Sequence, residues 1–137
     1  MAVTRDRPYL GNNFLVDLGL DDPRATGAGF SEVIFPTFAI VDKPDAALPS
    51  PERLVLRRGV TGALDLHAWW AKGKRGKAPQ RRTARIDLLA DDGESVVMSW
   101  RFRNVRPVAL TYSPLRALEA TVLMETIELE FDSVEVL

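Results

Sequence analysis

The stretch from Ser95 to Arg103, "SVVMSWRFR", alternates along its whole length. Val96, Met98, Trp100 and Phe102 fall on one face, and Val97, Ser99, Arg101 and Arg103 on the other, the period-two signature of a strand with one face on a core. Just ahead of it, "TARIDLLADDGES" alternates Ile86 and Leu88 and then presents Asp92-Gly93, a dipeptide that accepts the positive φ angles of a tight turn. Residues 84 to 102 therefore read as a hairpin. At the far end, "TIELEFDSVEV" sets Ile127, Leu129 and Phe131 inward and lines Glu128, Glu130 and Asp132 along the outer face. Further strands are expected at Phe14–Leu18, Phe30–Phe35, Phe38–Val41 and Leu54–Arg57, between turns rich in Gly, Pro and Asp.

One segment departs from this period. "TGALDLHAWWAKGKRG" spaces Leu66, Trp69 and Trp70 at three and four, places Asp65 early and ends in Lys and Gly. It predicts a short helix of about ten residues, held by its aromatic stripe more than by propensity. The Pro-rich stretch "VDKPDAALPSPERL", Val41 to Leu54, has three prolines, which exclude a central strand and indicate an extended arm or loop. The chain thus reads as one mainly β domain over residues 1–137. Phe14, Phe30, Trp69, Trp100, Phe102 and Phe131 are the expected core anchors.

Charge adds a polarity that the strands alone do not show. Lys+Arg number 18 and Asp+Glu 19. Seven bases (Lys72, Lys74, Arg75, Lys77, Arg81, Arg82 and Arg85) lie between residues 72 and 85 with no acid among them, leaving 11 bases against 19 acids elsewhere, a net −8. After Arg116 no base follows, whereas Glu119, Glu125, Glu128, Glu130, Asp132 and Glu135 do. A solvated loop would account for the bases at Lys72–Arg82. So would a nucleic-acid-binding module anchored on 72–85, but such proteins show a basic face without an acidic one of their own. Two opposed patches suit head-to-tail contact between identical copies, with Lys72, Lys74, Arg75, Lys77, Arg81 and Arg82 of one meeting Glu128 and Glu130 of the next.

Catalytic chemistry finds little support. His67 is the only histidine and cysteine is absent, so thiolate and multi-histidine metal sites are excluded within one chain. The serines stand in no nucleophile-elbow sequence. Asp91-Asp92, followed by Gly93, reads as a turn before it reads as a metal pair. Gly27-Ala28-Gly29 lacks the Lys-Ser/Thr of a phosphate loop. Neither enzyme nor cofactor site is expected. The charged N-terminus "MAVTRDRPYLGNNF" and the lack of an apolar run of about 20 residues predict a soluble product without a membrane span.

Along almost its whole length the chain resembles the tail-tube proteins of contractile phage tails and contractile injection systems. The resemblance rests on "NNFLVDL", "GFSEV", "LVLRRG", the helix with Trp69, "RIDLLADDG", "WRFRNVRP" and the final "ETIELEF", in that order. Where the family often places another glycine soon after GFSEV, Ile34-Phe35-Pro36 stand here. The resemblance implies a small β-sandwich or barrel with one helix at its side, assembled as stacked six-membered rings into a hollow conduit. Its implied partners are a sheath, spike or baseplate proteins and lumen cargo, nucleic acid entering only as such cargo. Assembly would occur in the cytoplasm before incorporation into a tail or injection particle. A tube-initiating or baseplate-proximal paralogue is the alternative within the family. The arm at Val41–Leu54 and the loop at Lys72–Arg82 are the expected ring-to-ring or sheath contacts.

Overall fold

The alternation becomes seven strands and one helix in the computed structural model, which describes residues 4–19, 29–39, 53–74 and 81–137. The strands are β1 (Phe14–Asp17), β2 (Phe30–Ile34), β3 (Leu54–Gly59), β4 (Arg82–Leu89), β5 (Val96–Tyr112), β6 (Met124–Glu130) and β7 (Ser133–Val136), with α1 (Asp65–Lys74) between β3 and β4. All pairings are antiparallel, in the order β1-β4-β5-β6-β3-β2, and β7 also lies on β5.

β5 organises the whole. Its first half pairs with β4 on one side and β7 on the other, and its second half, from Arg106, pairs with β6. Two four-stranded sheets result, β1-β4-β5-β7 and β5-β6-β3-β2, sharing one strand of 17 residues. Asn104, at the passage from one sheet to the other, takes a φ of 55°, a left-handed conformation that Asn tolerates better than most residues. A register shift follows between Pro107 and Ala109, where proline has no N–H to give the ladder.

Val16, Ala84, Ile86 and Phe102 of the first sheet join Leu54, Leu56, Ile127 and Leu129 of the second in one buried cluster, with Leu66 and Trp69 of α1 added at three-residue spacing. Of the expected anchors, Phe30, Trp69 and Phe102 are buried, while Phe14, Trp100 and Phe131 are half-buried against the cluster. The Phe131 ring meets Phe102 edge-on at 4.9 Å.

Three expectations change. The expected strand at Phe38–Val41 is not formed at Phe38 and Ala39, and its other two positions lie outside the described residues. The C-terminal run divides into β6 and β7, because Phe131 and Asp132 cross the sheet junction, where the Asp132 N–H donates to Arg103 O at 3.0 Å. The inward face of β5 also reverses at its start: Val96 is exposed, whereas Val97 and Ser99 are buried. Ser99 exchanges backbone hydrogen bonds with Leu137 and donates its Oγ to Asp87 at 2.6 Å, so the face read as solvent-facing is covered there.

The β4–β5 turn forms as expected. Asp92 Oδ1 accepts from the N–H groups of Glu94 and Ser95, Oδ2 accepts the Ser95 hydroxyl, and Gly93 takes a φ of 73°. Those bonds, the Ser95 hydroxyl foremost, hold the Asp92 pKa down at about 2. A depressed carboxyl stabilises the fold above its unfolded pKa of about 3.9 and loses that contribution as pH falls through the folded value. Asp92→Asn is therefore expected to flatten the melting-temperature profile between about pH 4 and pH 2, as read by thermal unfolding at stepped pH.

Candidate subunit-contact surfaces

The first candidate surface is made of strand edges. Among the described residues, β2 has a partner only in β3, and the second half of β5, Arg106 to Tyr112, has a partner only in β6. Both outer borders of the β5-β6-β3-β2 sheet are therefore unpaired among the described residues. A row of unpaired backbone donors and acceptors is a template for another chain. Because alternate strands are antiparallel, β2 and the end of β5 run in opposite directions.

The outward face of this sheet is polar and self-compensated. Arg57 meets Glu32 at 3.5 Å and donates to Thr126, Arg53 meets Glu128 at 3.8 Å, and Arg106 meets Glu130 at 3.4 Å and Asp132 at 3.0 Å. The acids Glu128 and Glu130 thus already face arginines of their own chain. Arg81 lies 3.4 Å from Asp132, and Arg82 donates to the Gly19 carbonyl. Lys72 is exposed and Lys74 ends α1, while Arg75 and Lys77 lie outside the described residues. Within one chain, then, Arg81 reaches Asp132, while Glu128 and Glu130 are engaged by Arg53 and Arg106.

Behind the sheet lies an ionic cluster that the sequence reading did not pick out. Arg58 of β3 donates to Glu125 of β6 at 2.5 Å and forms a two-pronged pair with Asp65 at the start of α1. All three side chains are about 95% buried. Burial pushes the Asp65 carboxyl up, but the Arg58 hydrogen bonds and charge outweigh it and hold the group below its ordinary range. Burial likewise opposes the Arg58 charge, and its two carboxylates leave it raised. The cluster ties the helix to the sheet. Its signal was present: Leu54, Leu56 and Arg58 share one face of β3, Glu125, Ile127 and Leu129 share one face of β6, and Arg58 stands opposite Glu125.

The N-terminal segment is pinned as well. Arg5 and Arg7 meet Asp91 at 2.9 and 3.1 Å, and the Arg5 guanidinium lies 3.7 Å over the Tyr9 ring. Asp91, half of the candidate metal pair, is thereby engaged by arginines, and no cluster of three metal-ligating side chains occurs among the described residues. Nor is any described helix long and apolar enough to cross a membrane.

The family model of the T4-like virus tail tube protein gp19 matches residues 49–135. The chain belongs to that family. No curated protein sequence matches it. Its fold is similar to solved structures: a chain in the cryo-EM structure of the anti-feeding prophage (AFP) baseplate, 6-fold symmetrised (22% identity, 97% of each chain covered, TM-score 0.75), and one in the PVC sheath-tube complex of an extracellular contractile injection system in its extended state (21%, 96% of this chain and 93% of that, TM-score 0.74). Hcp1 from Flavobacterium johnsoniae is similar at 14% identity, with 89% and 94% covered and a TM-score of 0.56. The mainly β architecture with one helix at its side is the fold of those structures, and the family match makes this chain a tail-tube protein.

Proposed function

We propose that this tail-tube protein closes laterally by pairing β2 of one copy with the Arg106–Tyr112 segment of β5 in the next. The observation that carries the reading is the strand count. Copies related by rotation keep their strand directions, so a four-stranded alternating sheet presents antiparallel edges at every seam. Ring closure then removes both open borders. Six copies, in keeping with the 6-fold symmetry named for the AFP baseplate, would bring about 24 strands into one barrel, wide enough for a water-filled lumen.

The balanced polar face carrying Glu32, Arg57, Glu128 and Arg106 is the one proposed to line that lumen, since the opposite face packs the core. Stacked rings would form a conduit for cargo, surrounded by sheath and joined to spike or baseplate, after assembly in the cytoplasm. The similarity to a chain from a baseplate structure also favours a second reading, a baseplate-proximal paralogue that forms one ring only.

Negative-stain electron microscopy of purified protein separates these outcomes: stacks support the conduit, isolated rings the paralogue, and persistent monomers refute both. The basic segment is proposed as an added ring-to-ring contact. Charge reversal at Lys74, Arg75 and Lys77 should shorten stacks at low salt, measured by sedimentation.

A further inference from the structure

β5 passes from one sheet to the other, and the C-terminal run makes its own passage beside it. The last residue of β5 to pair with β7 is Arg103, opposite Ser133, and the first to pair with β6 is Arg106, opposite Glu130. Asn104 and Val105 lie between on one strand, Phe131 and Asp132 on the other. The two crossings therefore meet at one place, where Asn104 holds a φ of 55°.

The polar contacts at this place converge on one side chain. Asp132 Oδ2 accepts from Asn104 Nδ2 at 3.0 Å, Oδ1 accepts from Arg106 Nη1 at 3.0 Å, and the Asp132 N–H donates to Arg103 O at 3.0 Å. Arg106 Nη1 also donates to the Asn104 carbonyl, its Nε faces Glu130 at 3.4 Å, and Arg81, just ahead of β4, reaches Oδ2 at 3.4 Å. Hydrogen bonds from Arg106 and Asn104 hold the Asp132 carboxyl below its ordinary range.

Asp132 and Arg81 are about half exposed, and contacts of that kind add little to stability one by one. What they add is direction. From Arg106 to Tyr112, β5 has one strand neighbour among the described residues, so the course of this border is set by the junction at its root. A residue with a positive φ bends the strand there, and such a conformation persists where its surroundings over-determine it. Asp132 grips the Asn104 side chain, while Arg106 grips the Asn104 carbonyl.

We propose that Asp132 is the positioning residue for ring closure: its contacts with Asn104 and Arg106 fix the angle at which the Arg106–Tyr112 border leaves the subunit, so that every copy offers that border in the same orientation. This rests on the lateral pairing proposed above and names the residue that aims it. Identical copies close into a ring only where each seam turns by the same angle, and a variable angle gives arcs and open chains instead.

The test exchanges donor and acceptor. Asp132→Asn leaves one oxygen for two donors, and Asn104→Asp sets two carboxylates face to face. The double variant Asn104→Asp/Asp132→Asn restores an amide-to-carboxylate bond and keeps an oxygen at position 132 for Arg106. Asn and Asp both tolerate a positive φ, so the bend itself is retained throughout. Each single variant is expected to melt within a few degrees of the wild type, yet to give at least ten-fold fewer closed rings of wild-type diameter by negative-stain electron microscopy. The double variant should recover at least half of them. The singles change net charge in opposite directions, so an effect of charge alone would move them apart.

Single variants that close rings as the wild type does overturn the proposal, as does a double variant no better than either single. Loss of the cooperative melt in a single variant also overturns it, because the contacts would then hold the fold and not its angle. Hydrogen exchange of the separate subunit is the second readout: amides of β7 and of Arg106–Tyr112 should exchange at least three-fold faster in each single variant and near the wild-type rate in the double. Unchanged rates overturn the clamp. Wild-type protein that forms no rings sinks the pairing reading and the closure role with it, whereas rings indifferent to both single variants sink only this inference.

Discussion

A proline at one of two neighbouring positions in β2 is expected to abolish ring formation while leaving the subunit folded. From Glu32 to Ile34, β2 pairs with β3 in regular register, Glu32 opposite Arg57 and Val33 opposite Leu56. Successive backbone N–H groups of a strand point to opposite sides. Of Glu32→Pro and Val33→Pro, one removes a bond to β3 and the other removes a donor aimed away from the sheet. The first should unfold readily, since proline inside a ladder costs a hydrogen bond and strains its partner. The second should melt within a few degrees of the wild type and run as a monomer in size-exclusion chromatography. If both variants still form rings, lateral closure does not use this edge, and the barrel described above is wrong.

Arg58→Met is expected to be the most damaging single change to the subunit itself. It leaves Asp65 and Glu125 buried beside each other without the guanidinium between them. Removing one partner of a buried ionic cluster costs about 3–5 kcal/mol. In a domain of this size that lowers the melting temperature by roughly 10–20 °C. The combined variant Arg58→Met/Asp65→Leu/Glu125→Leu should recover most of the loss, because an apolar replacement of the whole cluster leaves no charge unpaired.

The pH dependence has a definite sign. In the wild type Asp65 is held below its ordinary range, so its contribution is present above the unfolded pKa of about 3.9 and fades as pH falls below that. Without Arg58, burial is opposed only by backbone hydrogen bonds, the smaller of its counterweights, and the carboxyl is expected to move up. The gap between wild type and Arg58→Met should therefore be widest at neutral pH and narrow towards pH 4, as read by parallel thermal melts. A gap that does not change with pH would mean that packing, not charge, ties α1 to the sheet.

What was legible in the sequence was whatever repeats at short range. The alternation of Ile86 and Leu88, the Asp92-Gly93 turn, the Leu66–Trp69 spacing and the Ile127–Leu129 pair each report a local period, and each element formed close to where it was expected. The same alternation carried Arg58 and Glu125 onto buried faces, although their charge drew attention away from it. The second half of β5 was not legible. Between Arg103 and Tyr112 the chain passes through a left-handed Asn104 and a register shift at Pro107, and each resets which face points inward, so no single period survives.

By itself the sequence determined the mainly β domain, its single short helix, the position of the principal hairpin and the separation of basic from acidic segments, because these follow from nearest-neighbour chemistry. Only the tertiary structure decided which strands lie at the borders of the described sheet and that Glu128 and Glu130 face arginines of their own chain. Those facts depend on which distant segments pair. Pairing is set by how all the faces pack at once, a property that no local stretch of residues carries.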